Sequence, residues 1–209
     1  MSEILIQPLM AGDAAGFADA FAIYHDAIEL TEQRTEDGLR KLLLRPDYRF
    51  FVARREGKMI GMSVAYVPGE DYFWLFEYAA VIPEARGANI GAQLFLASRA
   101  IAGPGRMGLV EVDADRGSEM QARRLNFYRR LGCRRIDGLE YQLPLEDYGQ
   151  PPEMWLLALA APEIGTLDVN IVERWLRTIY EDVYAKRLDD PRLAQMIDSL
   201  PDDVPLVAI

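Results

Sequence analysis

The stretch best suited to chemistry is Arg86-Gly87-Ala88-Asn89-Ile90-Gly91-Ala92, which follows one apolar run and opens an amphipathic one. Small residues at a strand-to-helix turn let several backbone N–H groups converge on one anion, and the helix N-terminus adds partial positive charge. Arg86 supplies a fixed cation for a phosphate. A plain glycine-assisted turn needs the same small residues, so this segment alone leaves both readings open. Gly103-Pro104-Gly105-Arg106-Met107-Gly108 has the letters G-x-G-x-x-G of a dinucleotide fingerprint. It lies after a helix and before a strand, whereas the fingerprint works only after a strand and at the start of a helix. These glycines read as a helix stop and a turn.

The rare residues exclude other chemistries. Cys133 is the only cysteine, so there is no internal disulfide, CxxC pair or thiolate zinc site. His25 is the only histidine and reads as a partly buried structural residue on the first helix; metal sites built on two imidazoles are excluded. No G-x-S-x-G elbow occurs; Gly61-Met62-Ser63-Val64-Ala65 is the nearest approach. No metal is expected. The formal charge is 23 − 33 = −10, with 50% hydrophobic residues. Such an acidic excess argues against a nucleic-acid partner, and it suits a cationic substrate as well as it suits bare solubility. The N-terminal residues carry no basic and apolar leader, and the longest apolar run, Met154 to Ala161, is far below the ~20 residues that cross a bilayer. The expectation is a cytoplasmic protein with no membrane association.

The elements that would position these residues follow from periodicity and punctuation. Ile4–Leu9 reads as a strand, then Asp13 caps a helix over about 14–30 and Thr35 opens a second one ending near Arg45-Pro46. Tyr48–Arg54, Lys58–Val67 and Tyr72–Val81 form an antiparallel meander. A helix over about 89–102, a strand Met107–Ala114 and a helix started by the capping box Ser118-Glu119-Met120-Gln121 follow. Arg134–Ile136 and Glu140–Leu143 read as a hairpin around Asp137-Gly138, and Met154–Ala160 as a further strand. Asp168 caps a long amphipathic helix carrying Val172, Trp175, Ile179 and Val183, a stripe that packs on its own domain, forms a homodimer interface or covers a cleft; Asp190-Pro191 starts a last short helix. This order predicts a mixed α/β fold, a central mostly antiparallel sheet with helices on both faces, followed by a helical C-terminal extension.

Two segments carry a resemblance. Glu77 through Gly91 resembles the acetyl-CoA-binding segment of the GCN5-related N-acetyltransferase (GNAT) superfamily, with Asn89 where that pattern usually has its first glycine. Asn126-Phe127-Tyr128-Arg129-Arg130-Leu131-Gly132-Cys133 resembles the family's fourth-helix motif, and locally that of diamine acetyltransferases. The likeness covers about residues 3–144. It implies an acyl-CoA N-acyltransferase fold over residues 1–150, with residues 151–209 as an extra strand and helical extension.

The resemblance also implies roles. Backbone groups of Ala79, Ala80 and Val81 would pair with the pantetheine arm of acetyl-CoA. The amides from Arg86 through Gly87, Ala88, Asn89, Ile90, Gly91 and Ala92 would hold the pyrophosphate. Gln121 and Asn126 would border the cofactor from the next helix. Tyr128 would protonate the departing thiolate, and Glu77 would act as base toward the amine. Period-two alternation puts Glu77 on the same strand face as Ala79 and Val81. Asp113 and Asp115, with Glu111 and Glu77, could form an acidic pocket for a cationic amine, and Glu29 is a further candidate of the same kind. The expected activity is acetyl transfer from acetyl-CoA to a small cationic amine, polyamine-like or aminoglycoside-like. Acetylation of a protein N-terminus or lysine is the alternative, and a non-catalytic CoA-binding sensor is the alternative from another class.

Overall fold

The computed structural model describes residues 3–30, 32–69, 73–144 and 153–209. The chain divides into two compact units, Met1–Arg106 and Met107–Ile209.

The first unit holds β1 (Ile4–Pro8), α1 (Ala14–Ala27), α2 (Glu36–Leu44), β2 (Tyr48–Arg55), β3 (Lys58–Tyr66), β4 (Phe73–Val81) and α3 (Ile90–Ala102). Its strands pair antiparallel in the order β1-β2-β3-β4. Both expected caps form: the Asp13 carboxylate accepts from the Gly16 amide at 2.8 Å, and the Thr35 hydroxyl from Gly38 at 3.1 Å. The first helix ends at Ala27, three residues short of the predicted limit. Tyr72 and the tip of the β3–β4 turn lie outside the described residues. Helices cover both faces of this sheet. Phe51, Ala53 and Ile60 pack with Ile90 and Leu94 of α3, while Tyr24 of α1 meets Tyr78 edge-on at 5.0 Å between ring centres.

The β3–β4 ladder has one irregularity that matters for the site. Val64 lies opposite Tyr78 and Ala65 opposite Phe76, so Glu77 is an extra, unpaired residue in β4. At such a bulge two successive side chains turn to the same face, and alternation restarts beyond it. Trp74 and Phe76 accordingly pack on Phe95 of α3, Tyr78 faces α1, and Val81 again joins the α3 side. The predicted face of Glu77 is therefore corrected. It is turned away from the side of Val81, because the bulge breaks the period-two count between them.

The second unit holds β5 (Met107–Asp113), α4 (Glu119–Arg130), β6 (Arg134–Ile136), β7 (Met154–Leu159), β8 (Thr166–Asp168), α5 (Val169–Thr178), α6 (Pro191–Asp198) and β9 (Asp203–Val207). β7 pairs antiparallel with β5 and β6, and β9 with β6 and β8. Two expectations change here. Glu140–Leu143 forms no strand; the place beside β6 is taken by β9, with Arg135 opposite Val207 and Ile136 opposite Leu206. The C-terminal segment thus contributes β8 and β9 beyond the expected strand β7, beside α5 and α6. A single wide turn of π-helix, Ile179–Val183, continues α5. Val172, Trp175, Ile179 and Val183 are all buried within this unit, so the predicted stripe packs on its own domain.

Candidate active site

At the end of β4 the chain makes one 3₁₀ turn, Pro83–Ala85, and enters α3 through Arg86 to Asn89, all four exposed. Gly87 has φ +86° and Asn89 adopts the left-handed conformation, φ 59° and ψ 20°. Asn tolerates that region better than other residues with a Cβ, which explains how it serves where a glycine was expected. Its side chain does not cap α3; the first bond into the helix runs from the Gln93 amide to the Asn89 carbonyl at 3.1 Å. The amides of Ile90, Gly91 and Ala92 therefore open the helix without intrahelical partners. Ile90 and Ala92 bury their side chains, so this end of the helix offers backbone to its surroundings. The Arg86 amide is already used by the Pro83 carbonyl at 3.2 Å, which removes it from the predicted row of anion donors, and its side chain donates to the Val81 carbonyl at 3.3 Å.

Gly61 locks this turn to the sheet. A Cβ there would stand 3.0 Å from the Ala80 carbonyl and 3.3 Å from Ile90 and Val81 methyls, so only glycine lets β3, β4 and the start of α3 approach this closely. Ser63, Met62 and Gly61 pair with Ala79, Ala80 and Val81 along one edge of β4. The competing glycine stretch at 103–108 ends α3 and leads into β5, as its context predicts.

Glu77 is almost wholly buried, with a side chain 2% exposed, and it has a partner that no local pattern marks. Arg34, immediately before the Thr35 cap, points its Nε (3.1 Å) and Nη2 (2.8 Å) at Oε1 of Glu77. The Arg34 amide in turn donates to the Tyr24 hydroxyl at 2.7 Å, which fixes the approach of this linker to α1. Burial works against the charge on Arg34, but the Glu77 carboxylate beside it prevails and raises the guanidinium above its ordinary value. Glu77 Oε2 and the Tyr48 hydroxyl are both buried, and the hydroxyl is placed to donate to the Glu77 carboxylate. Burial, then the negative charge of Glu77, push the Tyr48 and Tyr78 phenols well up, so both stay neutral.

Tyr128 lies on the buried face of α4, which Ser118 starts by accepting from the Gln121 amide at 3.1 Å. Burial first, and neighbouring Cys133 second, raise its phenol above the ordinary value, with Arg124 pulling the other way. Cys133 is buried, as expected of a small core residue. The Gln121 side chain accepts from the Arg116 amide at 3.1 Å, and Asn126 is exposed and accepts from the Arg129 guanidinium at 3.1 Å. Asn126 also lines, with Asp115, Leu125, Arg135 and Trp155, a cavity of about 320 Å³ in the second unit.

The acidic residues are individually engaged. Asp113 is paired with Arg124, Asp115 accepts from the Gly117 amide at 2.9 Å, and Glu111 accepts from the hydroxyls of Tyr141 and Tyr184. An open acidic pocket built on Asp113 and Glu111 is thus corrected: each carboxylate already has a donor. Glu29 is exposed and lies beyond the end of α1. His25, expected to be partly buried, is 55% exposed at the side chain, with its ring 5.9 Å from that of Phe21. Arg34 and Tyr48 carry no local signal of their meeting with Glu77. They meet Glu77 across 43 and 29 positions of chain, and no local motif marks either.

Among the described residues no group of three or more His, Cys, Asp or Glu could hold a metal ion, and no helix is long and apolar enough to cross a membrane.

Residues 46–134 match the family model of the acetyltransferase (GNAT) domain. No curated protein matches the chain. Among solved structures, one from Bacteroides thetaiotaomicron described as a GNAT-family acetyltransferase superposes with a TM-score of 0.70 at 21% identity, covering 88% of this chain and 99% of that one. The ribosomal-protein-S18-alanine N-acetyltransferase of Escherichia coli gives 0.59 at 17%, over 77% and 97%. An aminoglycoside acetyltransferase from an uncultured soil metagenomic sample, in complex with sisomicin, gives 0.51 at 23%, over 70% and 96%. The fold expected from the two motifs is thus the one observed. None of these three singles out the diamine acetyltransferases.

Proposed function

We propose that the chain, whose residues 46–134 match the GNAT acetyltransferase domain model, moves an acetyl group from acetyl-CoA directly to a primary amine on a small cationic metabolite, polyamine-like or aminoglycoside-like. The observation that carries this reading is the left-handed Asn89 turn directly after β4, which leaves the amides of Ile90, Gly91 and Ala92 open at the N-terminus of a 13-residue helix. Such amides suit a pyrophosphate, and the exposed Arg86 side chain adds a cation. The donor set therefore fits acetyl-CoA, which supplies the acetyl group as an activated thioester.

This chain's residues then have separable tasks. Backbone groups of Ala79, Ala80 and Val81 orient the pantetheine arm, and Gln121 and Asn126 border it from α4. The Tyr128 hydroxyl delivers a proton to the departing sulfur. A free phenol and a free thiol differ by about 1.5 pK units, which makes that transfer roughly 2 kcal/mol uphill. Burial makes it steeper by raising the phenol further, so the hydroxyl must also hydrogen-bond to the sulfur as negative charge develops there. Glu77 receives the amine as an ammonium and accepts, through a water, the proton lost before attack. A cationic acceptor agrees with the net charge of −10.

The test is incubation with acetyl-CoA and a panel of polyamines, aminoglycosides and peptides, reading release of free thiol. Release with the small amines supports the proposal. Release with peptides alone moves the activity to protein N-termini or lysines. Saturable acetyl-CoA binding without any release identifies a CoA-binding sensor.

A further inference from the structure

Within the second unit, one face of α4 and the strands behind it enclose the cavity of about 320 Å³, a volume in the range of small-ligand sites. Ala122, Leu125 and Asn126 line it at the three- and four-residue spacing of a single helix face. Asp115 reaches it from the loop before α4, and Arg135 of β6 and Trp155 of β7 line it from the sheet. The Arg135 guanidinium lies over the Trp155 ring, 4.8 Å from its centre, and an ion pair with Asp137 holds it there. A guanidinium on an indole is a flat layer on which a further planar group stacks. Of the three tryptophans, Trp74 and Trp175 are buried, whereas Trp155 is only half-buried.

The polar groups beside this layer are of two kinds. Asp115 accepts from the Gly117 amide at 2.9 Å with one oxygen, and its other oxygen has no hydrogen bond among the described residues. Asn126 accepts from Arg129 at 3.1 Å through its side-chain carbonyl, which leaves its amide N–H groups to donate. An acceptor and a donor at the edge of a stacking surface match a ring with an amino group next to an unprotonated nitrogen, the pairing edge of adenine. The bond to Asn126 also stands the Arg129 guanidinium at the rim of the cavity. That arginine belongs to a local reversal of charge. Residues 116–135 hold seven arginines and one acid, Glu119, in a chain of net charge −10. Such a cluster suits a phosphate.

We propose that this cavity binds a free adenine nucleotide. The base lies on the Arg135–Trp155 stack, its amino group donates to Asp115, its ring nitrogen accepts from Asn126, and the phosphate meets Arg129. All of these residues belong to the second unit, and the site stands independently of the acetyl-transfer reading. Acetyl-CoA carries an adenine of its own, so the test separates the two sources.

The test is calorimetry on the full chain with AMP, IMP and adenosine, each with and without saturating acetyl-CoA. AMP binds about tenfold more tightly than IMP, which presents a carbonyl where adenine has its amino group. Asp115→Asn keeps an oxygen for the Gly117 amide and offers a donor to that carbonyl, so the preference disappears or reverses. In Arg129→Ala, AMP binds no better than adenosine. AMP also quenches tryptophan emission in the wild type, and the quenching is lost in Trp155→Phe. Binding of AMP that persists with acetyl-CoA at saturation supports a separate nucleotide site. Binding that saturating acetyl-CoA abolishes assigns the cavity to the coenzyme's own adenine end and overturns the proposal. Absence of AMP binding, equal affinity for IMP, or a preference unchanged in Asp115→Asn overturns it as well.

Discussion

At the scale of single residues, two side chains carry the proposed chemistry and can be separated by what their loss spares. Tyr128→Phe is expected to lower kcat about 100-fold with acetyl-CoA affinity unchanged by calorimetry, because it removes a proton donor and no part of the anion cradle. Glu77→Gln is expected to lower kcat/KM for the amine by at least a similar factor, again with acetyl-CoA affinity intact. The Tyr128 phenol is raised by burial, so its acid form survives beyond the ordinary phenol range. Any fall of kcat that is due to Tyr128 therefore begins above about pH 10, and a pH–rate profile to pH 11 checks it. These two residues were legible because a motif surrounds each. Arg34 and Tyr48 were not, since their meeting with Glu77 is made by tertiary contact alone.

At the scale of elements, the β4–α3 junction is held by backbone constraints. Gly61→Ala would drive a Cβ to 3.0 Å from the Ala80 carbonyl, and backbone on a paired strand cannot give way as a side-chain tip can. We expect a loss of about 1–3 kcal/mol in denaturant unfolding at constant m, with weaker acetyl-CoA binding from the displaced start of α3. Asn89 tests the turn itself. Asn89→Val places a branched Cβ at φ 59° and should cost at least about 1 kcal/mol, while Asn89→Gly should leave stability within a few tenths. The element order, the caps at Asp13, Thr35 and Ser118, and most strand limits followed from the sequence. The bulge at Glu77 did not, because one extra residue in a nine-residue strand leaves no mark on composition. Its effect is large, since it reverses which face a candidate catalytic carboxylate takes.

At the scale of the whole molecule, neutral buried phenols set an alkaline limit. Tyr24, Tyr48, Tyr78, Tyr128 and Tyr180 are all raised, burial being the largest cause in each. The unfolded chain loses these protons near pH 10 while the folded one keeps them, so the unfolded state binds fewer protons above that pH and stability falls as pH rises. The stabilisation is fully present below about pH 10 and is lost above it, at about 1.4 kcal/mol per pH unit for each phenol that stays neutral. Tm should fall steeply between pH 10 and 11.5, with the tyrosinate absorbance of these five of the ten tyrosines appearing together with unfolding rather than before it. Ionisation of all ten within the folded protein would contradict this.

What the sequence determined by itself is what is local or periodic. It encodes helices and strands through spacing, an anion-suited turn through small residues after a strand, and the exclusion of thiol and imidazole metal chemistry through one cysteine and one histidine. The tertiary structure alone decided which charges are neutralised. Asp113 and Glu111 looked like open acids along the chain; Asp113 is paired by Arg124 of the next helix and Glu111 accepts from Tyr184, 73 residues on. It also decided that β9, not Glu140–Leu143, completes the pairing of β6. The reason is common to these cases. Strand partners and ion pairs are chosen by whichever unsatisfied group the folded backbone brings near, and nothing in local sequence records that choice.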